Sequence, residues 1–415
     1  MRSLCIVLSI VALVCFLSKG AASVDWTRWR GPDGNGITTE SDWDPETLKK
    51  GPRILWRVAL GEGYSSVSVQ GPYLYTMGNN KNTDIVYCLN VKDGSEVWRY
   101  SYPCSPGNYP GPRATPVIDG PLIYTLSRDG HLFALNAKNG TVTWQKNILT
   151  ELKAKNIKWG FASTPSIDGD LLLINAGSHG IAFDKTSGDL KWSSVGKLWS
   201  RNAGIGSYAT PLFFTHGNKR CAAIFGQEAL YAVDIKTGSK LWEYEWITKY
   251  DVNAADPLVS GNKIFISSGY GKGCALLDFS DGKPRKVWEN RNMRNHFGSC
   301  VLIDGTIYGI DGNAGKGNLR CLDFATGNIQ WSEDLGFASL IAAQNNLIIL
   351  NEDAKLFIVK ATPASFQKIA ECTAIENVNG VCWTAPVLSN GRMYCRSSGG
   401  DLVCIDVRKY KTAGP

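Results

Sequence analysis

Ten side chains in this chain are of types that could do chemistry together: Arg113, Arg128, His131, His179, Arg201, Asn202, Tyr208, Arg294, His296 and Trp383. Guanidinium forks and imidazoles converging beside aromatic faces suit an anionic or extended ligand. The competing reading is plainer, with the aromatics packing between structural units and the charges solvated. Other chemistries find less support. The chain has four His and no His-x-x-x-His pair, so no local element presents a zinc ligand set. It has neither a Gly-x-Ser-x-Gly elbow nor a phosphate loop, which removes hydrolase and nucleotide readings. Asp251-Val252-Asn253 and Asp311-Gly312-Asn313 offer suitable oxygens for a cation, but such clusters are ordinary turn chemistry.

The elements that must position these residues are marked by a recurring tryptophan. Trp98, Trp144, Trp192, Trp242, Trp288 and Trp331 each close a phrase of two apolar residues, Asn or Asp, and a turn with Gly. They are 46, 48, 50, 46 and 43 residues apart, the period of a β-propeller with one four-stranded blade per repeat. Eight upstream phrases, such as Thr115-Pro116-Val117-Ile118 and Asp256-Pro257-Leu258-Val259, read as first strands. Hairpin signals such as Asp119-Gly120 and Asn390-Gly391 follow them. Proline fits a first-strand position, where its missing N–H costs no ladder bond. The expectation is an all-β, eight-bladed propeller over residues 53–410. Blade seven is degenerate, with Phe366 in the tryptophan position. Blade eight lacks a fourth strand, and the segment around Trp56, which is in phase, supplies it and closes the ring, leaving no open edge. The ten chemistry-bearing residues then gather on the face carrying the D–A and B–C loops. Six D–A loops also place an aromatic before strand A: Tyr64, Phe161, Tyr208, Phe297, Phe337 and Trp383.

Outside the ring, residues 1–23 read as a signal peptide: Arg2, an apolar run from Leu4 to Leu17, and small residues at Ala21-Ala22-Ser23. Cys15 follows Val14 and is a poor lipoprotein acceptor, so a periplasmic or secreted protein is expected, with no later membrane span. Residues 24–52, with Trp26, Trp29 and Trp43, read as an extension packed on the propeller flank, and 411–415 as a tail. Net charge is +7, or +5 without the leader, and there is no basic run, which gives no case for nucleic acid. Export permits disulfides. A two-residue turn at Gly399-Gly400 would set Cys395 across from Cys404, the pairing expected to bridge, with Cys372 and Cys382 the next pair.

The phrases Ala134-Leu135-Asn136-Ala137-Lys138-Asn139-Gly140-Thr141-Val142-Thr143-Trp144 and Ala232 through Trp242 resemble the tryptophan-docking repeat of pyrroloquinoline-quinone (PQQ) propellers. The resemblance spans roughly residues 53–410. Trp29-Arg30-Gly31-Pro32 with Gly36-Ile37 also looks like the opening of a group of secreted bacterial propellers in this superfamily. The resemblance implies one of two functional classes. One comprises PQQ-dependent dehydrogenases, whose alcohol-oxidising members clamp the quinone with a disulfide between adjacent cysteines and hold calcium with carboxylates and an amide. The other, similar to the outer-membrane assembly factor BamB group, keeps the ring as a scaffold without quinone. This chain has no Cys-Cys and no motif for the calcium set. The expectation is therefore a non-catalytic binding module with no cofactor. Its partner would be an envelope or secreted protein, or a small anionic or extended ligand at the top face. A small PQQ- and calcium-dependent dehydrogenase of alcohols or polyols is the first alternative. A carbohydrate-binding propeller, resting on the N-terminal tryptophans, is the second.

Overall fold

The computed structural model describes residues 24–196 and 206–409. The leader, the tail and the segment holding Arg201 and Asn202 lie outside them. Eight antiparallel sheets form the ring, each with four blade strands labelled A to D from the axis outward. Blade one runs Ser68–Gln70, Tyr73–Asn79, Thr83–Asn90 and Glu96–Pro103. Its B and C strands are buried on both faces because they are sandwiched between neighbouring blades. Its D strand alternates, with Trp98 inward and Glu96, Val97 and Arg99 exposed. That alternation is why the inward tryptophan is legible on the outermost strand.

Each tryptophan staples its blade to the next. The indole N–H of Trp98 donates to Ala137 O at 3.0 Å, Trp144 to Lys185 O at 2.9 Å, Trp192 to Ile235 O at 2.7 Å, Trp288 to Phe324 O at 3.1 Å and Trp331 to Thr362 O at 2.8 Å. Trp242 instead packs beside Phe279 of blade five, ring centroids 5.9 Å apart. The turn glycine is needed for closeness as well as conformation. At Gly140, φ is 72° and a Cβ would lie 2.5 Å from the Trp98 ring.

The ring closes as expected. Arg53–Ala59 pairs with Asp401–Asp406 as strand D of blade eight, with Trp56 opposite Cys404. The Trp56 indole then donates to Val91 O of blade one at 3.0 Å. A buried guanidinium reinforces the joint. Arg396, in strand B of blade eight (Arg392–Arg396), donates to Ser65 O at 2.7 Å, Thr76 Oγ1 at 2.9 Å and Met77 O at 2.6 Å, all in blade one.

Three expectations are corrected. In blade seven the tryptophan position belongs to Ala370, not Phe366. Ala370 pairs with Ile358 just before the register shift, where Trp98 pairs with Cys88 in blade one. The C–D loop of blade seven is longer and lacks the Gly turn, so counting from the turn misplaces the residue. Phe366 packs against Trp331, 5.9 Å away. The space beside Ala370 is filled by Trp43 and by Leu48 of a 3-10 helix, Pro45–Lys50, packed against strand D of that blade, Lys368–Thr373.

The second correction concerns cysteines. All ten in the described residues are free thiols. Cys395 lies opposite Val403, and Cys404 opposite Tyr394. The connection is not a two-residue turn: Ser397 N donates to Asp401 O at 2.9 Å and Asp401 N to Ser397 Oγ at 3.1 Å, closing a longer loop. A slip of one residue puts the two thiols on opposite faces of the sheet. Cys372 and Cys382 are unbridged too.

The third concerns residues 24–52, of which only the part around the 3-10 helix packs on the flank, against strand D of blade seven. Residues 26–38 form a strap across the axial channel. Trp26 exchanges backbone hydrogen bonds with Val69 in strand A of blade one at 2.9 and 2.8 Å. Thr27 O accepts from Ile118 N in blade two at 2.8 Å. Ile37–Thr38 adds a fifth, parallel strand to the inner edge of blade seven, Ala338–Ala343. Trp26 and Trp43 are fully buried and present no face to a sugar; Trp29 alone of the three reaches a cavity.

Candidate functional site

Around the axis, the residues that open strand A are linked blade to blade. Ser66 N donates to Thr115 Oγ1, Thr115 N to Thr164 Oγ1 and Thr164 N to Thr210 Oγ1, each at 3.1 Å. At the next step an acid replaces the hydroxyl. Thr210 N donates to Asp256 Oδ1 at 2.7 Å, and Asp256 N donates to Ser299 Oγ at 2.9 Å. Asp256 Oδ2 accepts the Trp29 indole N–H at 2.6 Å, and Arg30 Nε of the strap lies 3.8 Å away. Burial raises the carboxyl pKa, against the opposing pull of Arg30 and of these hydrogen bonds.

Above this floor opens a cavity of about 260 Å³ at the channel mouth. Its wall is an aromatic belt. Trp383 stacks on Tyr64 with centroids 5.4 Å apart and lies 6.0 Å from Tyr109 and 5.1 Å from Phe297. Phe297 leads to His296 at 4.5 Å, and His296 to Tyr270 at 4.8 Å. Trp159 and Tyr208, 5.9 Å apart, form another part of the wall. Burial raises the phenol pKa of Tyr64, Tyr208 and Tyr270 and lowers His296 to about 4, so the imidazole is neutral near pH 7. Its Nδ1 accepts Ala314 N–H at 3.3 Å. Arg113 lies over Tyr64 and donates to Gly111 O, Asn108 O and Tyr109 O at 2.9, 3.0 and 2.8 Å. Burial, then the Arg128 charge, lowers its pKa to about 10.

Of the ten residues singled out in the sequence, Arg113, Tyr208, His296 and Trp383 line this cavity. Arg201 and Asn202 lie outside the described residues. The other four do not line it. Arg128 is buried and donates to Pro106 O at 2.6 Å. His131 Nδ1 lies 3.0 Å from Ser127 Oγ. His179 is buried with Nδ1 2.8 Å from Ser178 Oγ. Arg294 makes a two-pronged contact with Asp311, Nε and Nη2 at 2.8 and 2.6 Å. Thus Asp311 is committed to an arginine, and Asn253 is buried and bonded to Gly226 O at 2.8 Å. Among the D–A aromatics, Phe161 and Phe337 are core residues. Sequence reasoning named Trp29 only as part of the extension and missed Tyr109, Trp159, Asp256 and Tyr270. Only Asp256 carried a periodic signal, standing where neighbouring blades have Thr before Pro.

Eight radial four-stranded blades, indole staples and a loop-built mouth define a propeller of the PQQ-like class. Residues 49–156 and 82–333 match the family described as "Outer membrane protein assembly factor BamB", and the chain belongs to that family. It is 22% identical over 371 residues to the "Outer membrane protein assembly factor BamB" of Moranella endobia (strain PCIT), covering 86% of this chain and 80% of the relative. Among solved structures, BamB from Moraxella catarrhalis superposes with a TM-score of 0.61 at 16% identity, over 87% of this chain and 98% of that one. The quinohemoprotein alcohol dehydrogenase from Comamonas testosteroni superposes with a TM-score of 0.68 at 13% identity, over 94% and 82%. At these identities the structural likeness establishes the fold that scaffold and enzyme share.

Proposed function

We propose that this protein is a non-catalytic binding module of the cell envelope, a scaffold for outer-membrane protein assembly that holds a partner protein at the aromatic mouth of its channel. One observation carries the reading: the guanidinium, the imidazole Nδ1 and the carboxylate at the cavity are engaged by the protein's own chain. Arg113 holds three loop carbonyls, His296 Nδ1 takes a backbone N–H, and Asp256 takes a backbone N–H and an indole. What remains for a partner is the aromatic surface, including Tyr109, which is 54% exposed. Anchoring by aromatic contact suits protein recognition. The relatives named as assembly factors support the same reading, and export to the periplasm or beyond goes with it. No helix among the described residues is long and apolar enough to cross a membrane.

A quinone with calcium fits this donor set poorly. Calcium takes six to eight oxygens, typically from several carboxylates and carbonyls. Among the described residues Asp256 is the one carboxylate lining the cavity, and its oxygens are occupied beside the Arg30 cation. The dehydrogenase alternative has the enclosed aromatic volume in its favour, and the carbohydrate alternative keeps only Trp29 of its original set. Cross-linking of the tagged full-length protein in its native envelope tests the proposal. A component of the outer-membrane assembly machinery should be captured, and Tyr109→Ala with Trp383→Ala should abolish the cross-link. Capture that ignores both substitutions would move the partner site elsewhere.

A further inference from the structure

The inner edges of the eight blades are unequally covered. Strand A of blade one ends in a two-residue turn, so Gln70 and Tyr73 form the hydrogen-bonded pair next to it. Bonded and non-bonded pairs then alternate, and the backbone of Val69 points into the channel. By the same count, the inward residues are Ile118 in strand A of blade two (Val117–Asp119) and Ala342 in blade seven. The strap occupies all three. Val69 N donates to Trp26 O, Ile118 N to Thr27 O and Ala342 N to Gly36 O, each at 2.8 Å. The chain thus already reads its own inner edges with an extended polypeptide.

On the opposite side of the ring the same positions line a groove. Strand A of blade four is Leu212–His216, five residues long, and pairs with Lys219–Phe225. His216 opposite Lys219 is the bonded pair at the turn, which sends the N–H and C=O of both Phe213 and Thr215 inward. Strand A of blade five, Leu258–Ser260, likewise turns Val259 inward. Phe213, Thr215 and Val259 all line a groove of about 510 Å³, whose further wall is the strap at Asp33, Gly34, Asn35 and Ile37. Among the described residues no backbone segment pairs with these inward groups. An unpaired edge is a template for another strand.

We infer that the inner edge of strand Leu212–His216 is a docking site for an extended, largely uncharged polypeptide strand, bound by β-augmentation with Leu258–Ser260 as its flank. Main-chain hydrogen bonds supply affinity in that mode, and alternate side chains supply selectivity. Five residues span about 17 Å, enough for both inward positions of blade four to be used. Among the described residues Asp33 is the one charged side chain on the groove wall, so a single basic group on the peptide is accommodated and an acidic one is disfavoured. The site lies apart from the aromatic cavity, and the inference does not rest on the envelope role.

The probe is a capped peptide with the sequence of residues 35–39, the strap's own uncharged edge-binding stretch, added to the full mature protein. Titration should be saturable, and hydrogen exchange should slow at Phe213, Thr215 and Val259. Thr215→Pro removes an inward N–H without touching the ladder to Lys219–Phe225. It should weaken binding at least tenfold, whereas Thr215→Val, which keeps the N–H, should bind as the native protein does. Absence of saturation up to millimolar peptide, protection confined to other strands, or full affinity in a folded Thr215→Pro protein would each overturn the inference. If the proline variant does not fold, the exchange map of the native protein settles the matter.

Discussion

Replacing Asp256 with Asn tests whether the strap is pinned through the channel floor. The carboxylate accepts Thr210 N–H at 2.7 Å and the Trp29 indole at 2.6 Å, with Arg30 Nε 3.8 Å away. Arg30 is buried and keeps Gly34 O, Asn35 O and Cys300 O as acceptors, at 3.2, 2.8 and 2.6 Å. Leaving a buried charge without its counter-ion costs about 3–5 kcal/mol, and the three remaining acceptors should bring this to about 2 kcal/mol. Asn must also choose. With its oxygen on Thr210 N–H, its amide N–H group meets the indole donor, adding about 1 kcal/mol. The total is about 3 kcal/mol. With an unfolding entropy of about 2.1 cal/mol/K per residue, a chain of this length should lose about 3 °C in Tm. Urea unfolding followed by tryptophan fluorescence reads the stability, and hydrogen exchange over residues 24–36 locates it. The reasoning predicts lost protection in the strap before the blades. It also predicts non-additivity with Trp29→Phe, since that variant removes the same indole bond. An Asn variant with native stability and a fully protected strap would refute it.

Trp56→Ala removes a buried ring and its bond to Val91 O at the closing joint, which should cost about 3–5 kcal/mol and promote aggregation through the loosened blade eight, read by light scattering on heating. His296 has a folded pKa of about 4, below its ordinary 6.5, so the unfolded chain binds the extra proton. Its contribution is therefore fully present above pH 6.5 and lost as pH falls towards 4, by about 3 kcal/mol, and His296→Phe should flatten that part of a stability–pH curve. Non-reducing peptide mapping should find Cys395 and Cys404 both alkylated as free thiols, and a bridge between them would contradict the observed register.

The fold was legible because its determinants repeat. A tryptophan on each outer strand, a turn glycine beneath the next blade's indole and an orphan strand at Trp56 are periodic, and periodicity survives without an alignment. The errors arose where the period breaks. Blade seven lengthens its C–D loop, which shifted the tryptophan position from Ala370 to Phe366. The loop after Arg396 has one residue more than a two-residue hairpin allows, which moved the cysteine register by one. Half of the mouth was visible because D–A loops carry aromatics at fixed phase, as with Tyr208 and Trp383. The floor was not. Trp29 reaches it from a strap whose path across the channel depends on backbone pairing with Val69, Ile118 and Ala342, contacts between segments far apart in sequence. Arg128, His131, His179 and Arg294 share the loop-bearing regions of their blades but are tied locally, and no spacing rule separates a tied arginine from an available one.

The central claim is that this ring binds and does not oxidise. A titration of the purified mature protein with PQQ in the presence of calcium, followed by dye-linked oxidation of primary alcohols, tests it most directly. The account predicts weak or no quinone binding and no saturable PQQ-dependent turnover, because Asp256 is committed to Thr210, Trp29 and Arg30. Tight, calcium-dependent PQQ binding with turnover, weakened by Arg113→Ala at the cavity wall, would contradict it.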